Sequence, residues 1–365
     1  MQTIGLVDAD LLDGGTRFPN LALMKIASFE RSRGAAVRLC LTAADATPCA
    51  KIFVSKVFTK SRVPRWIEEI ADRCEFGGTG FNLVDAPPLP PEAERSKLFY
   101  DLYKPFVDSF GDAPPRWLDA YSKTSIGFTS RGCFRRCPFC VNRKKTRSER
   151  WSPVAEFLDE TRPYVDLLDD NVFACKDWRE IFAELESTGK RFAFKQGLDI
   201  RLTNREKAAT LARAKYRGDI TFAFDNIADE REFRRGAENF RAECDKQAKA
   251  YLLCGFYQRG LDELRDLFKR LDVLAEYRIL PYLMRHERYE NDEYRAIYVD
   301  LARWLNQPGF FKKLSFLEFA EKAGSRKTRS ALASNELASL KPWMERRFWN
   351  EAVNKGGVAD GRRLL

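Results

Sequence analysis

Three cysteines lie close together in the middle of this chain, in the segment GCFRRCPFC (132–140). Cys133, Cys137 and Cys140 form a C-x3-C-x2-C run that follows a short apolar stretch at 126–129. Thiolates are the preferred ligands of iron–sulfur clusters, and three of them on a four-iron cluster leave one iron open for chemistry. A structural zinc site would need a fourth ligand, usually from a second C-x2-C pair, which the sequence lacks. Three unrelated thiols are the remaining alternative.

The spacing, with Phe139 just before the third cysteine, resembles the radical S-adenosylmethionine (SAM) superfamily. The resemblance implies that Cys133, Cys137 and Cys140 hold a [4Fe-4S] cluster whose fourth iron takes the amino and carboxylate groups of SAM. An electron from the cluster then cleaves SAM, and the resulting 5′-deoxyadenosyl radical abstracts hydrogen from a substrate. We expect Phe139 to pack near the adenine.

Composition indicates a globular protein of one large domain or two, since 44% of the 365 residues are hydrophobic and 32% are charged. No apolar run approaches the length of a membrane span, and residues 1–8 read as a strand rather than a signal peptide. Nine cysteines without regular spacing do not suggest a disulfide framework. We therefore expect a cytoplasmic protein without a membrane partner.

The net charge of +10 is unevenly distributed along the chain. Residues 311–365 carry twelve Lys and Arg against six Asp and Glu, and a second basic cluster, RKKTR (143–147), follows the cysteines. Both clusters suit phosphate contacts, which makes nucleic acid one candidate partner. The basic loop 143–147 equally suits an acidic electron donor such as flavodoxin or ferredoxin. A solvated basic surface is the third interpretation.

The N-terminal segment alternates strand-like and helix-like stretches. Strands are predicted at 3–10, 35–41 and 51–58, and helices at 19–33 and 64–73. This order predicts a small Rossmann-like α/β domain over 1–86 with a mostly parallel sheet. The run PPLPP (87–91) cannot continue a helix or a central strand, so residues 87–122 are predicted to be a linker.

The alternation becomes regular after residue 123. Six strands are predicted at 126–129, 165–170, 191–200, 220–224, 248–256 and 278–284. Helical sequence separates most of them, including a helix predicted to begin at Ser152. The resemblance implies a partial (β/α)6 TIM-like barrel over 123–306, followed by a basic helical extension over 307–365. Reactive groups of such barrels collect at the C-terminal ends of the strands.

The second barrel strand is predicted to end in Asp169-Asp170-Asn171. Some radical SAM enzymes carry Asp-Asp-Asn where others have a Gly-Gly-Glu-like motif, so the resemblance implies that Asp170 and Asn171 receive the SAM amino group. A carboxylate and an amide oxygen both accept hydrogen bonds from an ammonium group. The competing interpretation is an ordinary cap of the next helix.

The third and fifth strands supply weaker candidates. Alternation within the third strand directs Gln196 to one face and Asp199 and Arg201 to the other. The resemblance makes Gln196 and Arg201 SAM contacts, and guanidinium geometry suits the methionine carboxylate. An Asp199–Arg201 surface pair is the alternative. Gly255 matches a loose glycine element near the adenine.

An α/β domain ahead of a radical SAM barrel resembles the cobalamin-binding members of the superfamily. The Asp-x-His-x-x-Gly loop that supplies a histidine to cobalt is missing, and the chain's single histidine, His286, lies far along the sequence. We therefore expect a substrate- or partner-binding domain and do not favour cobalamin. The leading functional hypothesis is a radical SAM enzyme of unknown substrate. The alternative is a nucleic-acid-binding protein with a structural iron–sulfur cluster.

Overall fold

The computed structural model describes residues 2–16, 18–83, 86–142 and 145–350. The chain has a mixed α/β fold and divides into two compact units. Unit 1 comprises Met1–Asp169 and Asp177–Phe192, and unit 2 comprises Asp170–Lys176 and Ala193–Leu365. Among the described residues, no helix has both the length and the apolar character required to span a bilayer.

The strands are β1 (Thr3–Asp8), β2 (Ala36–Leu39), β3 (Lys51–Ser55), β4 (Cys74–Gly77), β5 (Thr124–Gly127), β6 (Ser130–Arg131), β7 (Glu149–Arg150), β8 (Tyr164–Leu167), β9 (Arg191–Phe194), β10 (Ile220–Ala223), β11 (Ala248–Cys254) and β12 (Ile279–Arg285). The α-helices are α1 (Ala9–Gly14), α2 (Leu21–Ser32), α3 (Ala43–Ala46), α4 (Pro91–Glu94), α5 (Lys104–Asp108), α6 (Asp119–Ser122), α7 (Trp178–Ser187), α8 (Arg205–Arg213), α9 (Glu230–Glu243), α10 (Leu261–Glu276), α11 (Arg295–Leu305), α12 (Pro308–Phe311), α13 (Phe316–Ala323), α14 (Arg326–Ala333) and α15 (Lys341–Met344).

The first sheet of unit 1 is parallel, with strand order β2-β1-β3-β4. β1 is apolar and buried almost throughout because packed residues cover both faces of the sheet. Asn20 begins α2 by accepting a hydrogen bond from the Leu23 amide, and its Nδ2 donates to Ser55 Oγ at 2.9 Å. This confirms the predicted parallel α/β arrangement of the N-terminal segment.

The segment predicted to be a linker packs on this first sheet. Leu102, Tyr103, Leu118 and Tyr121 are buried in the same apolar cluster as Leu6 of β1. The Tyr103 hydroxyl donates to Asp8 Oδ2 at 2.7 Å and accepts from the Asn20 amide at 2.9 Å. Residues 87–122 thus contribute to the core of unit 1, and the predicted domain boundaries stay a prediction.

A second sheet has strand order β5-β8-β9, and β5 and β8 are parallel. β9 begins in unit 1 and ends in unit 2, because the division falls between Phe192 and Ala193. The third sheet, β10-β11-β12, lies wholly in unit 2 and is parallel. Each of the six strands predicted after residue 123 overlaps an observed one.

Three local predictions were wrong. The helix predicted from Ser152 is a single 3-10 turn over Val154–Glu156. The helix predicted at 64–73 is a 3-10 helix over Arg65–Arg73 with a non-helical residue, Ile70. The third strand after residue 123 ends at Phe194 rather than at 200, because a turn with Gly197 at φ +87° follows it.

The C-terminal helices pack within unit 2. Phe348 is 1% exposed, and its ring stacks on Phe268 of α10 with centroids 6.3 Å apart. Arg346 is ion-paired with Asp272, and Trp343 Nε1 donates to the same carboxylate. The aromatic side chain of Phe348 is therefore part of the core of unit 2 rather than exposed surface. Residues 351–365 of the predicted extension lie outside the described residues.

Candidate functional site

The cysteine loop is closed at its base by backbone structure. β6 and β7 form a two-residue antiparallel ribbon that pairs Ser130 with Arg150 and Arg131 with Glu149. Gly132 follows with φ +96°, and a Cβ there would lie 2.2 Å from the Arg147 carbonyl oxygen. Only glycine fits this position, since other residues meet both a disfavoured φ and a backbone clash.

Asp169 fixes the entry to the loop. Its carboxylate accepts four hydrogen bonds: from the Thr129 amide at 2.9 Å, and from the Thr129 hydroxyl, the Ser130 amide and the Ser130 hydroxyl at 2.6 Å each. Asp169 is 1% exposed, and burial raises its pKa above the usual range. We call this arrangement the Asp169 clamp. Sequence reasoning treated Asp169 only as part of a motif, although two hydroxyl residues directly after a strand were a signal for an acidic acceptor.

All three cysteines are half-buried and none forms a disulfide. The Arg135 amide donates to Cys133 Sγ and the Asn142 amide donates to Cys140 Sγ, both at 3.4 Å. Backbone N–H groups aimed at sulfur are a known means of tuning the potential of a cluster. The loop thus presents sulfur ligands with amide donors already in place.

Among the described residues, no three His, Cys, Asp or Glu side chains gather tightly enough to hold a single metal ion. Ligands of a four-iron cluster bind separate irons, and thiolates are the donors that such clusters use. Phe139 is partly buried beside Cys140.

Cations and aromatic rings meet at the base of the loop. The Arg131 guanidinium lies 4.1 Å from the Phe128 ring centroid and 4.3 Å from that of Trp151. Lys145 Nζ lies 5.2 Å from the Trp151 centroid, and Arg147 pairs with Glu149 at 2.7 Å. Residues 143 and 144 of the predicted basic loop lie outside the described residues.

In unit 2, Asn171 is buried and Asp170 is partly exposed. Asn171 precedes the 3-10 turn Val172–Ala174, but its side chain makes no capping hydrogen bond. Its Nδ2 instead donates to Asp199 Oδ2 at 3.4 Å. The helix-cap interpretation of Asn171 is therefore not borne out, and the side chain belongs to a polar network.

Arg201 is the centre of that network. Its Nε lies 2.7 Å from Asp199 Oδ1, and its Nη1 lies 2.6 Å from Asp229 Oδ2. Asp199 is 8% exposed, so the pair is not the surface pair considered as an alternative. The predicted alternation of side chains is also wrong here, because residues 196–201 lie after the end of β9. Gln196 is exposed, and Arg201 lies in the 3-10 turn Ile200–Leu202.

Gly255 directly follows β11 in a constrained turn. It has φ +73°, and a Cβ would lie 2.3 Å from Tyr289 Cβ. Its amide donates to Glu263 Oε1 at 2.7 Å, and the Phe256 amide donates to the same atom at 3.2 Å. Close packing inside unit 2 is therefore sufficient to explain the glycine at this position, without a role in ligand binding.

A buried arginine that sequence reasoning missed supports the ends of β10 and β11. Arg270 is 2% exposed and donates to the Phe224 and Leu253 carbonyl oxygens at 2.9 and 3.0 Å. Asp225 accepts from the Leu253 amide at 3.1 Å, and burial raises its pKa to about 6 although Arg270 opposes the shift. An arginine on the apolar stripe of α10, next to Leu271, was the available signal.

A cavity of ≈580 Å³ lies beside the first sheet, within unit 1. Phe53 and Ser55 of β3 line it together with α2, Gly77 and the proline segment 87–90. Its walls are mainly apolar, and the size is typical of small-molecule sites. No histidine lies in unit 1, because the single histidine of the chain is His286.

No protein-family model and no curated protein matches the chain. Solved structures do match, among them two of the radical S-adenosylmethionine methyltransferase TsrM from Kitasatospora setae. One, with tryptophan substrate and a SAM analog bound, has a TM-score of 0.55 at 14% identity over 78% of this chain and 73% of that one. The other, with cobalamin and a [4Fe-4S] cluster bound, has a TM-score of 0.51 at 14% identity over 78% and 75%.

These matches confirm the predicted resemblance to the radical SAM superfamily at the level of the fold. Because one of them contains cobalamin, they give no support to our expectation against that cofactor. The residue assignments for SAM, Phe139, Asp170, Asn171, Gln196, Arg201 and Gly255, stay predictions. The chain shares the fold of a radical SAM methyltransferase.

Proposed function

We propose that the protein is a radical SAM enzyme. The observation that carries the proposal is the C-x3-C-x2-C loop, held by the Asp169 clamp and the β6–β7 ribbon, in a chain with a radical SAM methyltransferase fold. A [4Fe-4S] cluster held by the three cysteines would supply one electron for the reductive cleavage of SAM to methionine and a 5′-deoxyadenosyl radical. The parallel strands after residue 123 would form the partial barrel around this chemistry.

The chain's own residues would have separate tasks. Cys133, Cys137 and Cys140 would ligate three irons, and the amides of Arg135 and Asn142 would stabilise charge on the sulfurs. In unit 2, Asp170 and Asn171 would accept the SAM ammonium group. Flavodoxin or ferredoxin would deliver the electron, and nine cysteines without a disulfide fit a reducing cytoplasm.

The test is anaerobic reconstitution with iron and sulfide, followed by SAM and dithionite. We expect a four-iron absorption band and production of 5′-deoxyadenosine, both lost in Cys137→Ala. Cys74→Ala is the matched control, because Cys74 is also a partly buried cysteine of unit 1 but lies outside the motif. A fully loaded cluster that never cleaves SAM would refute the proposal and favour a structural cluster.

Cobalamin-dependent methyl transfer is a second candidate, favoured by the ≈580 Å³ cavity beside the first sheet. Its apolar walls, formed in part by Phe53 and Leu89, suit the aromatic base of a nucleotide tail. No imidazole from unit 1 would ligate the cobalt, so the cofactor would be held by its periphery.

Gly77→Leu tests this candidate, because Gly77 lines the cavity and a Cβ there meets nothing within 4 Å. We expect the variant to lose hydroxocobalamin binding measured by absorbance after gel filtration. Gly14→Leu is the control, since Gly14 is equally open but does not line the cavity. Equal retention by both variants and the wild type would place any cobalamin elsewhere.

A further inference from the structure

The sheet β10-β11-β12 has one face covered by α10 and one face with a different composition. Along β11, burial alternates, with Ala250 and Leu252 fully buried and Lys249, Tyr251 and Leu253 partly exposed. The helix α10 packs on β11 and β12 through its own apolar residues. Successive strand residues point to opposite faces, so the partly exposed residues share the face away from α10.

Register brings two tyrosines together on this face. Tyr251 pairs with Tyr282 of β12, and their ring centroids are 5.6 Å apart at 69°. The Tyr251 hydroxyl donates to the Lys195 carbonyl oxygen at 3.2 Å, which fixes its ring. Tyr282 is 38% exposed, so one aromatic ring of the pair is open to a ligand. We call Tyr251 and Tyr282 the tyrosine pair.

Gly197 lies beside the tyrosine pair. A Cβ at this position would be in van der Waals contact with Tyr251 Cδ2 at 3.5 Å, so the absence of a side chain leaves that edge of the ring without this contact. At the other end of the pair, Leu253 stands in register with Met284, which is 46% exposed. Toward the C-terminal ends of the strands, the aromatic rings on this face are thus followed by the flexible apolar side chains of Leu253 and Met284.

Lys249 stands at the opposite end, next to the tyrosine pair. Its Nζ lies 5.7 Å from the Tyr282 ring centroid and 6.0 Å from that of Tyr251. Within the described part of the chain, its ammonium group has no hydrogen bond or ion pair. Burial lowers its pKa, as does the positive charge of Lys195, while Asp219 opposes the shift. A partly buried ammonium that makes no direct hydrogen bond or ion pair is costly, and an anion in contact with it would offset that cost.

We propose that this face binds a planar aromatic molecule that carries one anionic group, a carboxylate or a phosphate. The ring would lie against the tyrosine pair and the anion would contact Lys249. Because strands rise about 3.3 Å per residue, Lys249 and Leu253 are separated by roughly 13 Å along β11. The anion therefore marks the end of the ligand that points away from the C-terminal ends of the strands, and the reacting carbon lies toward Leu253 and Met284.

This inference rests on the proposed function in one respect only, namely that the bound ligand is the substrate of the enzyme. Its test is binding to the full-length, cluster-loaded protein, measured by ligand-observed NMR without reductant. The probes are two matched pairs: indole-3-acetate with indole-3-acetamide, and uridine 5′-monophosphate with uridine. At least one anion should bind about tenfold more tightly than its neutral counterpart, and the pair that shows this identifies carboxylate or phosphate.

Three variants test the named residues. Lys249→Met should bring the favoured anion to the affinity of its neutral counterpart, and Lys249→Arg should restore most of the difference because it keeps the charge. Tyr282→Leu should weaken the anion and the neutral compound alike, by about five- to tenfold, because both lose ring contact. Lys269→Met is the control, since Lys269 lies on α10 and pairs with Asp266.

Equal affinities of both anions and their neutral counterparts would overturn the proposal. So would wild-type binding of the favoured anion by Lys249→Met. These results are independent of SAM cleavage, because the assay contains no reductant. A protein that shows the expected binding pattern but makes no 5′-deoxyadenosine would contradict the enzymatic function and leave the binding face intact.

Discussion

The cysteine loop of unit 1 and the polar network of unit 2 prepare for a ligand in opposite ways. In the loop, the backbone and the Asp169 clamp set the geometry, and the Arg135 and Asn142 amides donate to the sulfurs of Cys133 and Cys140. In the network, Arg201 already pairs with both Asp199 and Asp229. The loop presents ligand atoms, whereas the network presents charges that are already compensated.

The difference bears on how SAM would be held. A carboxylate that approached Arg201 would compete with two aspartates, and a buried pair that loses a partner is strongly penalised. Asn171 is coupled to the same network through Asp199. We therefore expect substitutions in the loop to affect cluster assembly and substitutions in unit 2 to affect stability and SAM affinity.

The largest effect should come from removing the clamp. Asp169→Ala leaves the buried amides of Thr129 and Ser130 without their acceptor, which should cost about 3–5 kcal/mol in the free energy of unfolding. Urea denaturation gives the measurement. Asp119→Ala is the control, because it removes only an exposed pair with Lys123 and should cost less than about 1 kcal/mol. Similar midpoints for the two variants would show that the clamp is unimportant.

The next effect should be confined to the loop. Gly132→Ala combines a disfavoured φ with a Cβ 2.2 Å from a backbone oxygen, so we expect a cost of about 3 kcal/mol and loss of most cluster iron. Gly111→Ala has a comparable φ of +70° and open space, and should cost about 1 kcal/mol with iron content unchanged. Iron and sulfide per chain are the measurements. Full iron loading of Gly132→Ala would contradict this role.

A parallel pair in unit 2 sharpens the contrast. Gly255→Ala should cost about 2–3 kcal/mol because its Cβ meets Tyr289, while Gly218→Ala, at φ +74° in open space, should cost about 1 kcal/mol. Both variants should keep the cluster absorbance of the wild type. If Gly255→Ala lost the cluster as completely as Gly132→Ala, the two regions would not be separable in this way.

The smallest effect concerns pH. Because the folded pKa of Asp225 is raised to about 6, the folded state keeps a proton that the unfolded state releases from about pH 4 upward. The stability contributed by Asp225 is therefore complete below about pH 4 and is lost as pH rises through 6. Asp225→Asn keeps an acceptor for the Leu253 amide but cannot titrate. From pH 4 to 7, wild-type stability should fall by about 1–2 kcal/mol relative to this variant in urea titrations. A pH-independent difference would refute the titration.

Much of the fold was predictable because parallel strands are short apolar runs between turn signals. β1, β3 and β10 were located within a few residues. The strand β4 was missed, because Cys74–Gly77 contains only one large apolar residue and reads as a turn. Helical spacing also failed at 64–73, where apolar periodicity does not distinguish a 3-10 helix from an α-helix.

The parts of the candidate site whose residues are close together in the sequence were predictable. The parts whose hydrogen-bond partners are far apart in the sequence were not. The three cysteines are neighbours in the chain, so their proximity follows from the sequence. The partner of Arg201 at Asp229 is 28 residues away, and Arg270 reaches the ends of two strands from a helix. Such partners depend on how strands and helices pack, which local periodicity does not encode.

The β6–β7 ribbon restricts the conformations of the cysteine loop independently of any metal. Strand pairing joins residues 130–131 to residues 149–150, and 17 residues of sequence lie between these strands. Closing a flexible loop of roughly 17 residues costs about 2.5 kcal/mol in chain entropy, beyond a constant term. Because folding of unit 1 meets that cost, assembly of the proposed cluster would not, which corresponds to about seventyfold in the equilibrium constant for assembly. Maturation of the proposed cofactor would thereby be coupled to the folding of a ribbon whose strands are only two residues long.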